Sequence, residues 1–261
     1  MNLLFVLYSA AKLWIDKGSN YYAAAFSYYA PLALVPLIFF SIAVATFFYG
    51  GSFANQVFAD WGAALGSELV EVIRGAVENL SQEANTSRVP IVAGLFFLGF
   101  YIIALNVISD GFERLWGRET SGFISFLIKS SRALVFLFVL QIYLVFVIGM
   151  EFFIMPAVFG SNSYISSGFL FLSSAVFFTA LFRFLVVKSP SLKGCVVGGI
   201  VSSVLFVAIK SLVDLYIATT PILSFYGAAG LILVLFVWVY VLAALIYYGA
   251  AVAGIYGKIV E

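Results

Sequence analysis

The sequence contains no histidine, one cysteine and few charges. Histidine is the commonest general base near neutral pH and the commonest metal-binding side chain. Its absence excludes Ser-His-Asp, Cys-His and His-Glu-x-x-His centres. A single cysteine, Cys195, excludes an intramolecular disulfide. The chain has no GxxxxGK[ST] phosphate loop, and no cofactor is expected. Charged residues make up 10% of the 261 positions and hydrophobic ones 64%. A soluble domain carries about 25% charged residues, so too little polar surface is present to face water all round. The net charge of +1 gives no overall field that would draw nucleic acid. The stretch Met1 to Leu7 has no basic residue, so no cleavable signal peptide is expected there.

What the chain has instead is long apolar runs. Six runs approach or exceed the roughly 20 residues that a bilayer core requires: 21–49, 90–109, 133–155, 165–187, 194–218 and 228–256. Each is expected to be helical, because lipid offers no partner to backbone N–H and C=O groups. Aromatic residues gather near several run ends, among them Trp14, Tyr21, Tyr49, Trp116, Tyr164 and Tyr256, as interfacial anchors do. Placing the N-terminus inside puts Lys12, Lys17, Arg114, Arg118, Lys129, Arg132, Arg183, Lys188, Lys193 and Lys258 on the inner side. Only Arg74 and Arg88 then fall in outer loops, and Lys210 lies within a span. This bias orients the chain with both termini in the cytoplasm. The expected fold is therefore all-α: a polytopic integral membrane helical bundle of six transmembrane helices, one transmembrane domain over 1–261.

Two further helices are expected. Over Asn2–Lys17, Leu4, Leu7, Ala11 and Trp14 share one face. That pattern fits an amphipathic helix on the inner surface or a lead-in to the first span. Over 60–80, Trp61, Leu65, Leu69, Ile73, Val77 and Leu80 recur at helical spacing in the long outer loop. That helix is acidic (Asp60, Glu68, Glu71 and Glu78 against Arg74), so anionic head groups do not attract it, and it reads as a cap on the bundle. The first span carries Pro31 and Pro36, which would kink it.

Ionisable residues inside spans are costly and therefore candidates for function. Lys210 and Asp214 stand at i, i+4 in the fifth span, toward its outer half, and Glu151 lies at similar depth in the third. The three can form a polar cluster facing the bundle interior. It reads either as a substrate or ion site open to the outside or as a structural ion pair. Gln141 and Thr179 are mid-span polar residues suited to interhelical hydrogen bonds. Gly194, Gly198, Gly199 and Ser202 have the small-xxx-small spacing of close helix packing. Arg183 can snorkel to head groups, or bind a phosphate with Lys188 and Lys193. In the inner loop 110–131, Asp110 is spaced to pair with Arg114, and the segment reads as an ordered helix extension.

Several stretches taken in order resemble the YihY/BrkB family of bacterial and archaeal inner-membrane proteins. They are Ala23-Ala24-Ala25-Phe26-Ser27-Tyr28-Tyr29 with Leu34-Val35-Pro36-Leu37, and Ala104-Leu105-Asn106 with Phe112-Glu113-Arg114-Leu115-Trp116-Gly117. Later come Pro190-Ser191-Leu192-Lys193-Gly194, Lys210 and Tyr216, Tyr226-Gly227-Ala228, Trp238-Val239-Tyr240 and Gly249-Ala250. The resemblance covers roughly residues 10–257 and implies six spans. It adds Tyr216 and Asn106 to Glu151, Lys210 and Asp214 as candidate substrate-binding residues. The family usually ends its sixth span with Gly-Ala-Glu, whereas this chain has Ala251 at the third place. An old ribonuclease label in the family finds no support in a chain without histidine or a basic stripe.

The function expected first is transport or translocation of a lipid or amphipathic small molecule across the cytoplasmic membrane. A non-transporting membrane scaffold that organises envelope proteins is the alternative. A membrane-embedded enzyme ranks last, since only Glu151 or Asp214 could serve it as acid or base. Expected partners are membrane lipids and a possible homo-oligomer, with no nucleic acid.

Overall fold

The computed structural model describes the backbone of residues 3–33, 75, 89–150, 158, 163–219 and 222–260. Side chains are described over 4–33, 98–147, 149–150, 165, 167–212 and 234–258, and at 75 and 158. These residues form seven long helices: α1 (Leu3–Asp16), α2 (19–33), α3 (Val89–Trp116), α4 (Phe123–Gly149), α5 (Ser163–Phe184), α6 (Leu192–Thr219) and α7 (Ile222–Val260). No strand occurs among them. The helix expected over 60–80 lies outside the described residues but for Gly75. So does the first span beyond residue 33, with its second proline, Pro36.

Four stretches within α4 to α7 are long and apolar enough to cross a membrane: Phe123–Val147, Ser167–Phe184, Leu192–Leu212 and Val234–Lys258. Among the described residues α7 is the longest of these helices. The 39 residues of α7 span about 58 Å at 1.5 Å each, roughly twice the ~30 Å hydrocarbon core. Their outward faces are apolar, as lipid contact requires: Val135, Phe138, Ile142 and Phe146 on α4 are all more than half exposed.

Small residues set how the bundle packs. A side chain at Gly198 would meet the Gly249 carbonyl oxygen at 2.5 Å, and one at Gly194 the Ala253 carbonyl oxygen at 2.6 Å. One at Gly249 would overlap the Ser202 hydroxyl. On its other side α6 meets α5, where Gly199 lies against Thr179 and Ser203 donates to the Phe171 carbonyl at 2.6 Å. The small-residue stripe of α6 is thus shared between two neighbours in the same chain, with no room between backbones for anything larger. Without a hydrophobic drive between helices in lipid, such close van der Waals contact and hydrogen bonding hold them together.

Phe112 joins α3 to this unit. Fully buried, its ring contacts Trp116, Phe182 and Tyr247, with centroids 5.3–5.6 Å away. Tyr247 lies over Gly111 and donates to the Val107 carbonyl at 3.0 Å, tying α7 to α3. The tyrosine-rich face of α2 follows, with Tyr22 against Tyr247 and Tyr29 against Phe100.

Helix α1 uses only part of the face that its sequence pattern suggested. Val6 and Ala10 are fully buried in the core, while Leu4 is 72% exposed. Leu7, Leu13 and Trp14 flank the buried pair, and Tyr248 of α7 donates to the Leu7 carbonyl at 3.1 Å. The buried stripe is displaced from the expected one by about one residue, some 100° of helical turn. Its cause is tertiary: α1 is seated on α7, a partner that sequence periodicity cannot identify. Gly18, at φ +65°, then turns the chain into α2.

Candidate functional site

The most elaborate polar arrangement among the described residues lies where α3 ends and α4 begins. Helix α3 stops in a glycine cap. Arg118 N–H donates to the Glu113 carbonyl at 2.8 Å and Gly117 N–H to the Arg114 carbonyl at 3.3 Å, while Gly117 takes φ +65°. This is the Schellman pattern, in which a left-handed glycine satisfies the last carbonyls of a helix. The chain reverses through 118–122, and Gly122, at φ +97°, precedes α4.

The reversal brings Lys129 of α4 back onto α3. Its ammonium lies 2.6 Å from Asp110 and 3.0 Å from Glu113. Glu113 also accepts from the Thr120 backbone N–H at 2.9 Å and from its hydroxyl at 2.8 Å. The side chains of Lys129 and Glu113 are only 9% and 3% exposed, that of Asp110 50%. Both buried charges are thus paired and hydrogen-bonded, as burial demands. The expected Asp110–Arg114 pair does not form: Arg114 is exposed, and Lys129 from the next helix takes its place.

Three arginines extend the network sideways onto the end of α5 and the α5–α6 linker. Arg118 donates to the carbonyls of Lys188 and Ser189 at 2.7 and 2.9 Å. Arg183 donates to the Ser189 hydroxyl at 2.7 Å, and Arg132 to the Phe184 carbonyl at 3.2 Å. Trp116 closes the other side, its indole N–H reaching the Ala250 carbonyl of α7 at 2.8 Å. Five elements therefore meet at this basic end. Arg183 is exposed and braces the linker behind it through its bond to Ser189.

Of the sequence-derived candidates, Asn106 belongs to this region. It is buried one turn before Asp110, and its amide N–H donates to Ser130 of α4 at 3.2 Å. Its carbonyl oxygen has no partner among the described residues. Lys210 is part-buried on α6, well along that helix from the basic end. Asp214 and Tyr216 follow it on α6, but their side chains lie outside the described residues, as does all of Glu151. The outer cluster of Glu151, Lys210 and Asp214 is therefore neither assembled nor separated by what is described.

Packing, charge pairing and helix capping converge on Phe112-Glu113-Arg114-Leu115-Trp116-Gly117. A family model described as Virulence factor BrkB matches residues 10–258. The chain belongs to the BrkB family. No curated protein and no solved structure matches it. It is thus a BrkB-family membrane protein with several apolar helices. Among the family-like stretches, Gly249-Ala250 supplies a seam contact with α6 and the acceptor for Trp116. Ala251, where the family usually has glutamate, is fully buried in the core of this BrkB protein.

The sequence reading missed Lys129 as the hub of the network. Its signal was present: a lysine just inside an apolar helix, following a loop with glycines at both ends. The local i, i+4 spacing of Asp110 and Arg114 offered a nearer partner and obscured it.

Proposed function

We propose that this BrkB-family protein lies in the cytoplasmic membrane with six spans, its basic end and both termini in the cytoplasm. We propose that it moves a lipid or amphipathic small molecule across that membrane. The observation that supports transport is the buried closure at the basic end, where Lys129, Glu113, Asp110 and Thr120 join α3 to α4. Buried ion pairs are weak sources of stability, because desolvation offsets their attraction, but they hold two elements in one register. A carrier needs such a closure on one side while its binding site opens to the other. In this reading the substrate site is the outer-half set Glu151, Lys210, Asp214 and Tyr216, and Asn106 lies just above the inner closure. The sequence offers no nucleotide-binding loop, so movement would follow a gradient or a concentration difference. No catalytic step is part of the proposal. Membrane lipids are the proposed partners. A homo-oligomer would form through a face other than the α6 glycine stripe, which α5 and α7 already cover.

The test is reconstitution into vesicles carrying a fluorescent phospholipid analogue, with an external quencher reading how fast inner-leaflet analogue reaches the outside. Wild-type protein should accelerate the exchange, and Lys210→Ala should fall to the rate of protein-free vesicles at unchanged protein level. Normal exchange in Lys210→Ala would remove that residue from the site. Wild type no faster than empty vesicles would end the lipid-transport reading. It would favour the scaffold alternative, which the tight α6–α7 seam also suits. A scaffold would keep a stable protein partner in mild detergent, indifferent to Lys210→Ala.

A further inference from the structure

Helix α3 carries one polar stripe. Asn106, Ser109, Asp110 and Glu113 recur at i, i+3, i+4 and i+7, the spacing of one helical face. Three of the four reach α4: Asn106 bonds Ser130, and Asp110 and Glu113 bond Lys129. The end of the stripe at Glu113 is satisfied, and the deeper end is not. We propose that the deeper end binds a monovalent metal cation, such as sodium, between Asn106, Ser109 and Asp110. The inference goes beyond transport, since an ion can bind here on a carrier or on a scaffold. In the carrier reading it names the ion whose gradient would drive movement.

The first observation is a surplus of charge. By formal count two carboxylates share one ammonium. Lys129 lies 2.6 Å from Asp110 and 3.0 Å from Glu113, and no other cation is within ion-pair distance of either among the described residues. Arg114, one turn from Asp110, is exposed, and Arg132 donates to the Phe184 carbonyl. An ammonium has three N–H donors. Those of Lys129 serve Asp110, Glu113 and the Thr120 carbonyl, the last at 3.4 Å. None is left for Asn106 or Ser109. Glu113 also accepts two Thr120 bonds, whereas Lys129 engages only one Asp110 oxygen. The surplus negative charge therefore rests on Asp110.

The second observation is a pair of neutral oxygens beside that charge. The Asn106 side-chain carbonyl oxygen and the Ser109 hydroxyl are buried without a hydrogen-bond partner among the described residues. Asn106 is 9% exposed and Ser109 1%. Burying an oxygen unpaired is costly, and one cation would answer both oxygens and the surplus charge. The Asn106 amide nitrogen donates to Ser130 at 3.2 Å, which holds its oxygen in the seam between α3 and α4. Side chains three and four apart on a helix stand about 5–6 Å between Cβ atoms, so Ser109 and Asp110 can each share an ion with Asn106. The Asp110 side chain, 50% exposed, leaves the site open to water. All the donors are oxygens, the ligands of hard cations. Among the described residues no group of three or more cysteines and acids could hold a metal ion, which argues against a divalent or transition metal. One surplus charge beside neutral oxygens suits a monovalent ion.

The experiment follows thermal unfolding of the purified full chain in detergent by tryptophan fluorescence, in sodium, potassium or choline chloride at one ionic strength. Sodium or potassium should raise the wild-type Tm saturably over choline, by about 4 °C at about ten times the dissociation constant, the mass-action effect of one bound ion. Ser109→Ala removes a hydroxyl that bonds nothing and should match wild type in choline. It should need about tenfold more metal ion for the same shift, the lower range for loss of a group that supports a metal site. Asp110→Asn should lose the shift. Glu119→Gln, which removes an exposed acid outside the stripe, should keep it. Equal Tm in the three salts would overturn the proposal, as would a full shift in Asp110→Asn or an unaltered half-saturation in Ser109→Ala. A Tm that responds to pH and to neither metal ion would overturn it in favour of a proton.

Discussion

Replacing Lys129 by methionine removes a charge while keeping most of the side-chain stem, and the structure gives the size of the effect. Glu113 would remain, its side chain 3% exposed, with only the two Thr120 donors at 2.8 and 2.9 Å. An uncompensated buried charge costs about 3–5 kcal/mol. The Thr120 bonds survive, which places Lys129→Met near the lower end, about 3 kcal/mol, or roughly a hundredfold in the folded-to-unfolded ratio. Asp110→Asn removes a partner whose side chain is half exposed, and water can replace it there. An exposed pair contributes at most about 1 kcal/mol. Adding Glu113→Gln to Lys129→Met removes the stranded charge, so the double variant should regain about 2 kcal/mol of the loss. That is within the range of coupling between residues in contact. The assay is reversible unfolding in mixed detergent micelles followed by tryptophan fluorescence. Equal losses for Lys129→Met and Asp110→Asn, or a double variant no better than Lys129→Met, would refute the reasoning.

Three other outcomes can be measured directly. Gly249→Ala should destabilise the protein by about 2 kcal/mol in the same unfolding assay, because its Cβ overlaps the Ser202 hydroxyl and overpacking costs 1–3 kcal/mol; Gly168→Ala, with nothing within 4 Å, should not destabilise it. Trp116→Phe keeps the ring beside Phe112 but loses the indole donor to Ala250, a loss of about 1 kcal/mol in thermal or detergent unfolding. Cys195 is fully buried and should resist a maleimide until the protein unfolds. In Cys195→Ala, a cysteine placed at exposed Glu119 should react with a membrane-impermeant maleimide only when the cytoplasmic face is opened to it. Labelling from outside intact cells would reverse the proposed orientation.

Much of the helical architecture was legible because lipid leaves the backbone little choice. A run such as 194–218 has to be helical to satisfy its own N–H and C=O groups, and the helix found is Leu192–Thr219. The glycines of α6 were legible as packing residues for a related reason: in lipid, close approach is the main source of helix affinity. Their partners were not legible. Nothing in the spacing of Gly194, Gly198 and Gly199 says that the first two face α7 and the third faces α5. The third span, α4, was placed late, at Ala133, because Lys129 and Arg132 read as charges of the inner segment, although the loop 110–131 was itself expected to extend a helix. The helix starts at Phe123 because those charges are satisfied within the protein, by Asp110 and Glu113 in one case and the Phe184 carbonyl in the other.

The same error explains what was hard to see about the basic end. A bias of lysine and arginine is ordinarily read as topology alone, as charges that stay in water on one side of a membrane. Here four of those residues are bound to named partners: Lys129 to carboxylates, Arg132 to the last residue of α5, and Arg118 and Arg183 to the linker between α5 and α6. Among the described residues Lys188, Lys193 and Lys258 form no ion pair. The division follows side-chain chemistry. A guanidinium is more weakly hydrated and presents a planar fork, which suits it to fixed carbonyls, whereas an ammonium is a compact, strongly hydrated charge. The arginines therefore build the end of the bundle, and these lysines leave its surface positive. Exchanging Arg118 for lysine would keep the charge and lose the paired carbonyl contacts. Stability would then fall although the charge is kept, which separates the structural share of the basic end from its electrostatic share.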